Sequence, residues 1–162
     1  SWPNEPIADE AVLRAASTLV QAYDAPKFEK VKQGTDLLEA WLKDHPNNPL
    51  AAIMWEYLGD TYFLPLGENA KSVASYDHCD KMGWADPGNQ GPQLWKAAVL
   101  SERTHNMPSA SHYYTEIIEK TPTSGKAYES QLALKRLGAP VPPISIFRHA
   151  VPTQPTTREA GR

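Results

Sequence analysis

The run Trp55-Glu56-Tyr57-Leu58-Gly59-Asp60-Thr61-Tyr62 decides how the rest of the chain is read. Residues three and four apart share one face of a helix, so Trp55, Leu58 and Tyr62 form a bulky stripe. Gly59 beside them removes a side chain where a second helix has to come close. A helix built this way is half of a hairpin. The matching half stands downstream in a series of a small, a large and a third core-type residue: Ser72, Tyr76 and Cys79. The series also stands earlier as Gly34, Leu38, Trp41 and Pro46, and later as Ala110, Tyr114, Ile117 and Pro122. Thirty-eight residues separate Gly34 from Ser72, and again Ser72 from Ala110. A fixed period of that size marks stacked helical hairpins.

Working outward, a first helix is expected from Asp9 to about Tyr23, with Val12, Ala15, Ala16, Leu19 and Val20 on one face and Asp9 as its cap. A second opens at Pro26 and buries Phe28, Val31, Leu38, Trp41 and Leu42 before His45-Pro46 stops it. Asn48-Pro49 opens the third, which ends near Pro65 to Gly67. The fourth runs from Glu68 to Met82, with Gly83 as a left-handed stop. The stretch Gly83 to Gln93, rich in Pro and Gly, reads as a loop around Trp84. A fifth helix follows from Gly91 to His105, burying Leu94, Ala97 and Ala98. The sixth carries Ala110, Tyr113, Tyr114, Ile117 and Ile118. The seventh, Ser124 to Leu137, places Tyr128, Leu132, Leu134 and Leu137 inward and ends at Gly138. From Ala139 the character changes, because Pro140, Pro142 and Pro143 force an extended course. Ile144, Ile146 and Phe147 are its apolar patch, and the remainder is polar. So little apolar material cannot fold alone, so the arm is expected to pack against the helical body or, preferentially, against another chain. The expected class is all-α, with a short extension over 1–8, a helical domain over 9–138 and an extended Pro-rich tail over 139–162.

Trp55, Leu58, Gly59 and Tyr62 follow the W-x2-L-G-x2-Y pattern of the tetratricopeptide repeat, and the second-helix series is similar to the small, aromatic, small, proline order of that family. The resemblance covers about residues 9 to 138 and is complete only in the middle hairpin. Ala15 and Ala16, and later Ala97 and Ala98, stand where the flanking hairpins would have their close approach. The period is longer than the usual thirty-four residues of the family. The resemblance implies a solenoid of about three repeats plus a capping helix, with the first helix of each hairpin lining a concave groove. The groove positions are then Glu10, Leu13, Ser17 and Val20, followed by Ile53, Glu56, Asp60 and Phe63, and then Trp95, Val99 and Glu102. Chaperone-binding members of the family grip a terminal carboxylate with Lys, Asn and Arg. This face offers carboxylates instead, so the implied partner is a protein segment with apolar anchors and a basic or amine group.

The reactive residue types give no second reading. Cys79 is the single cysteine and falls at a repeat core position, which makes it a small hydrophobe rather than a nucleophile. His45, His78, His105, His112 and His149 show no HxxxH or HExxH spacing, so no metal and no cofactor is expected. No G-x-S-x-G, P-loop or GxGxxG pattern occurs, and the expectation is a chain that is not an enzyme. A net charge of -3 without a basic stripe disfavours nucleic acid, and no apolar run approaches the roughly 20 residues of a membrane span. The chain opens on Ser1 with neither a charged nor an apolar leader, which favours a processed, exported protein over a trimmed one. Trp2, Trp84 and Trp95 stand outside the core pattern; they either fold back over the nearest hairpin or anchor a partner. The expected role is a protein-binding scaffold or accessory subunit, using the groove, Trp84 and the arm residues Ile144, Ile146 and Phe147. The alternative is a structural subunit permanently built into a larger assembly, a cofactor-carrying one included.

Overall fold

The computed structural model describes residues 6–21 and 27–144. Among them the secondary structure is helical throughout: α1 (Pro6–Gln21), α2 (Lys27–Asp44), α3 (Ala51–Phe63), α4 (Asn69–Met82), α5 (Gly91–Arg103), α6 (Met107–Lys120) and α7 (Gly125–Leu137), with one 3₁₀ turn at Pro87–Asn89. The helices pair in chain order. α1 packs on α2, α3 on α4, and α5 on α6; α2 meets α3, α4 meets α5, and α7 closes against α6. The molecule is thus a succession of helical hairpins with one unpaired helix at its C-terminal end.

The crossing of α3 and α4 has the geometry that the opening run requires. A Cβ added at Gly59 would stand 2.6 Å from Tyr76 Cε1, so the tyrosine ring occupies the space the glycine leaves. Ser72 Oγ donates to the Gly59 carbonyl at 2.7 Å, fastening the two helices one turn away. In the first hairpin the tight position is on the other helix: a Cβ at Gly34 would meet the Ala16 carbonyl at 2.9 Å and Val20 Cγ2 at 3.0 Å. The recurring positions Gly34, Leu38, Trp41, Ser72, Tyr76, Cys79, Ala110, Tyr114 and Ile117 are all buried, as are Leu58, Gly59 and Tyr62. Trp55 differs. It is half-buried, packs against both core clusters, and lies parallel to the His78 ring with 4.0 Å between centroids. One cluster joins Ala16, Leu38, Trp41, Leu42, Ala51, Met54, Leu58 and Tyr62; the other joins residues of α4 to α7 with Trp84.

Several sequence expectations shift. α1 already begins at Pro6, so Asp9 sits inside its first turn instead of capping it. Its carboxylate accepts from Trp41 Nε1 at 3.2 Å and Asn48 Nδ2 at 2.7 Å, tying α1 to the end of α2 and the turn that follows. Phe28 is exposed rather than inward. Gly83 ends α4 at φ 102 and ψ 135, outside the left-handed helical region, whereas Gly138 ends α7 within it at φ 68 and ψ 20. In α7 the buried stripe is Ala127, Ser130, Ala133 and Leu134, so Tyr128 and Leu132, expected inside, face out at 62% and 48% exposure. Small side chains let α7 lie close to α6 and turn its larger ones to solvent.

Trp84 folds back. It is 6% exposed, 6.0 Å from the Tyr76 ring, and its Nε1 donates to Asp80. That burial leaves it no surface on which to anchor a partner, which corrects the expectation for the loop. The first part of the tail packs on the body. Ala139, Val141 and Ile144 lie against the α4–α7 cluster, and Gln131 Nε2 donates to the Pro142 carbonyl at 3.2 Å. Ile146 and Phe147 fall outside the described residues. Val141 and Ile144 each cover only part of their apolar surface, so the double replacement by alanine is expected to cost about 1–3 kcal/mol. An unchanged urea midpoint would show that these contacts contribute nothing to stability.

Candidate functional site

The groove residues expected from the sequence divide by helix. On α1, Leu13 packs into the first core cluster and Val20 turns to Gly34 of α2, so neither is free to line a groove; Ser17 is half-buried beside them. On α3, Ile53 is exposed, but Phe63 packs against the second core cluster. Glu56 and Asp60 face α5. Gln93 Nε2 donates to Glu56 at 2.8 Å, while Asp60 accepts the Tyr76 hydroxyl at 2.5 Å and pairs with Lys96. Burial lifts the Glu56 carboxyl above its usual range, an effect partly offset by the Gln93 hydrogen bond.

The α5 residues behave as surface. Trp95 is half-buried, meets Tyr114 edge-on at 5.7 Å, and carries the Lys126 ammonium 4.1 Å above its ring centroid. Such an ammonium is held by the negative ring face. Arg136 Nη2 donates to both Glu102 carboxylate oxygens, at 2.7 and 2.8 Å, which joins α5 to α7. The carboxylates expected to await a basic partner are therefore met from within: Glu56 by Gln93, Asp60 by Lys96 and Tyr76, and Glu102 by Arg136. With Asp60 and Glu102 each paired to a cation, the face is less acidic than its composition suggests.

Between α5 and α7 a groove of about 430 Å³ remains, lined by Trp95, Val99, Glu102, Tyr114, Glu129, Leu132, Ala133 and Arg136. Its floor is apolar, and its rim carries Glu102–Arg136 on one side and Glu129, paired with Lys126 at 2.7 Å, on the other. Three of its residues, Trp95, Val99 and Glu102, belong to the expected groove. Leu132, Glu129 and Arg136 were not anticipated, because Leu132 was placed in the core of α7. An alternative apolar stripe through Ala127, Ser130, Ala133 and Leu134 was the signal that could have found them.

Cys79 is fully buried, donates to the Ala52 carbonyl at 3.5 Å, and has its thiol pushed up to about 12 by burial. A thiol so placed stays protonated at neutral pH and is no nucleophile. Among the described residues no cluster of three or more His, Cys, Asp or Glu side chains could hold a metal ion, and no helix is long and apolar enough to cross a membrane. No protein-family model, no curated protein and no solved structure matches the chain at a significant level.

Proposed function

We propose that the chain is a non-enzymatic, tetratricopeptide-like scaffold or accessory subunit that holds a partner protein in the α5/α7 groove and through its C-terminal arm. The observation that carries this reading is the groove itself, an apolar floor around Trp95 and Leu132 inside a rim of satisfied ion pairs. Aromatic residues in partly desolvated pockets dominate binding energies at protein interfaces. Paired rim charges contribute orientation more than affinity. The partner this suits is a segment with one or two apolar anchors, its basic groups at the rim rather than its centre.

A photo-cross-linking residue placed at Leu132 tests the groove directly, with Glu119 on the exposed face of α6 as the control position. A discrete partner is expected at position 132 alone, and Trp95→Ala is expected to weaken its binding by about 2 kcal/mol, roughly thirtyfold. Equal labelling at both positions would end the groove reading. The exposure of Tyr128 and Leu132 on one face of α7 favours a second reading, a subunit kept permanently in an assembly. Native-mass measurement separates the two, because a chain isolated at monomer mass is no permanent subunit.

A further inference from the structure

Between α2 and α4 lies a cleft of about 410 Å³ that the groove reading does not use. Its wall is aromatic. Trp55 and His78 lie in it as a parallel stack, 4.0 Å apart and 9° from coplanar, and Leu42 and Met82 complete the apolar lining. Met82 is 41% exposed and adaptable in shape. Lys43 and Lys81 stand at its edges, both exposed, and among the described residues neither has a carboxylate within ion-pair distance. One acid, Glu39, also reaches the cleft, and it accepts the Tyr62 hydroxyl. The lining therefore sets two unpaired ammonium groups against one carboxylate that is already engaged.

We propose that this cleft is a binding site for a small planar apolar anion, a one- or two-ring aromatic carboxylate free in solution. The volume lies at the small end of ligand pockets. Ring edges, which carry partial positive charge, and ammonium groups, which favour both carboxylates and ring faces, act in the same direction. The partial negative charge at the ends of α2 and α4 opposes an anion, but it is smaller than the full charges of Lys43 and Lys81. The preference for the anion over its neutral isostere is accordingly about tenfold rather than a thousandfold.

Titration with indole-3-acetate, indole-3-acetamide and tryptamine tests the assignment, followed by calorimetry and by NMR of the Trp55 indole and His78 ring. One saturable site is expected for the acetate, with the amide about tenfold weaker and the amine weaker still. The shifts should centre on Trp55 and His78. The Lys43→Gln/Lys81→Gln double variant changes only exposed side chains and should keep its helical circular dichroism. In it the acetate should fall to the affinity of the amide. Equal binding of acetate and amide, no loss in the double variant, absence of a saturable site, or shifts centred on Trp95 would each overturn the proposal. None of these results bears on the α5/α7 groove, which Leu132 cross-linking addresses separately.

Discussion

Tyr76→Ala should lower the unfolding free energy by about 4 kcal/mol, a loss on the scale of a small domain's whole margin. The ring is fully buried at the α3/α4 crossing and packs beside Trp84, so its removal leaves a cavity bounded by two helices that Ser72 holds in place. Its hydroxyl also donates to Asp60 at 2.5 Å. Tyr76→Phe isolates that second contribution and should cost only about 1 kcal/mol, because Asp60 keeps Lys96 and is partly solvated. Gly59→Ala probes the same crossing from the opposite helix. Alanine gains about 1 kcal/mol of helix propensity, yet its Cβ would stand 2.6 Å from the ring and overpacking costs roughly 1–3 kcal/mol. The single change should be destabilising, and in the Tyr76→Ala background it should become neutral or stabilising. Urea unfolding of the four proteins gives the coupling. Additive costs would mean that Gly59 and Tyr76 do not share the space.

The part of this crossing that was legible in the sequence is local. Gly59 next to Leu58, with Tyr62 one turn on, reports the need for a close neighbour, and Ser72 and Tyr76 report which helix supplies it. The period carried that reading to Gly34 and Ala110. What the sequence concealed depends on pairings between distant positions. Glu102 looks like an unpaired groove acid until α7 brings Arg136 to it, and Glu56 and Asp60 look the same until α5 brings Gln93 and Lys96. The rotation of α7 was misread for a different reason. Apolar periodicity is weighted by the large side chains Tyr128 and Leu132, while the terminal helix packs by small ones, Ala127, Ser130 and Ala133. Trp84 was ambiguous because a tryptophan in a Gly- and Pro-rich loop has no periodicity to place it. Its buried contacts come from Tyr76 and Asp80, both on the preceding helix α4.

Those pairings also make the fold sensitive to alkaline pH. Three tyrosines donate across helix contacts to carboxylates, Tyr62 to Glu39, Tyr76 to Asp60 and Tyr113 to Asp77 at 2.5 Å; a fourth, Tyr114, stands beside Glu102, and all four are at most 2% exposed. Burial raises the pKa of each phenol above its ordinary value, and the neighbouring carboxylate raises it further, since a phenolate beside a carboxylate is doubly disfavoured. In the unfolded chain these phenols ionise near pH 10. Below that pH both states hold the protons and the stabilisation is complete. Above it the unfolded chain releases protons that the folded chain retains, so stability must fall as pH rises. Each group removes about 1.4 kcal/mol per pH unit, and four together about 5 per unit, so a typical margin is exhausted between about pH 11 and 12. Cys79 adds to the slope, its thiol raised to about 12 by burial. The expected result is a single steep transition in which phenolate absorbance and loss of helical circular dichroism coincide. Tyr113→Phe should remain folded at neutral pH and show a slope reduced by about one proton. Phenolate appearing gradually from pH 10 while the helices persist would mean that the four hydroxyls are open to solvent, and that the seams are held by packing alone.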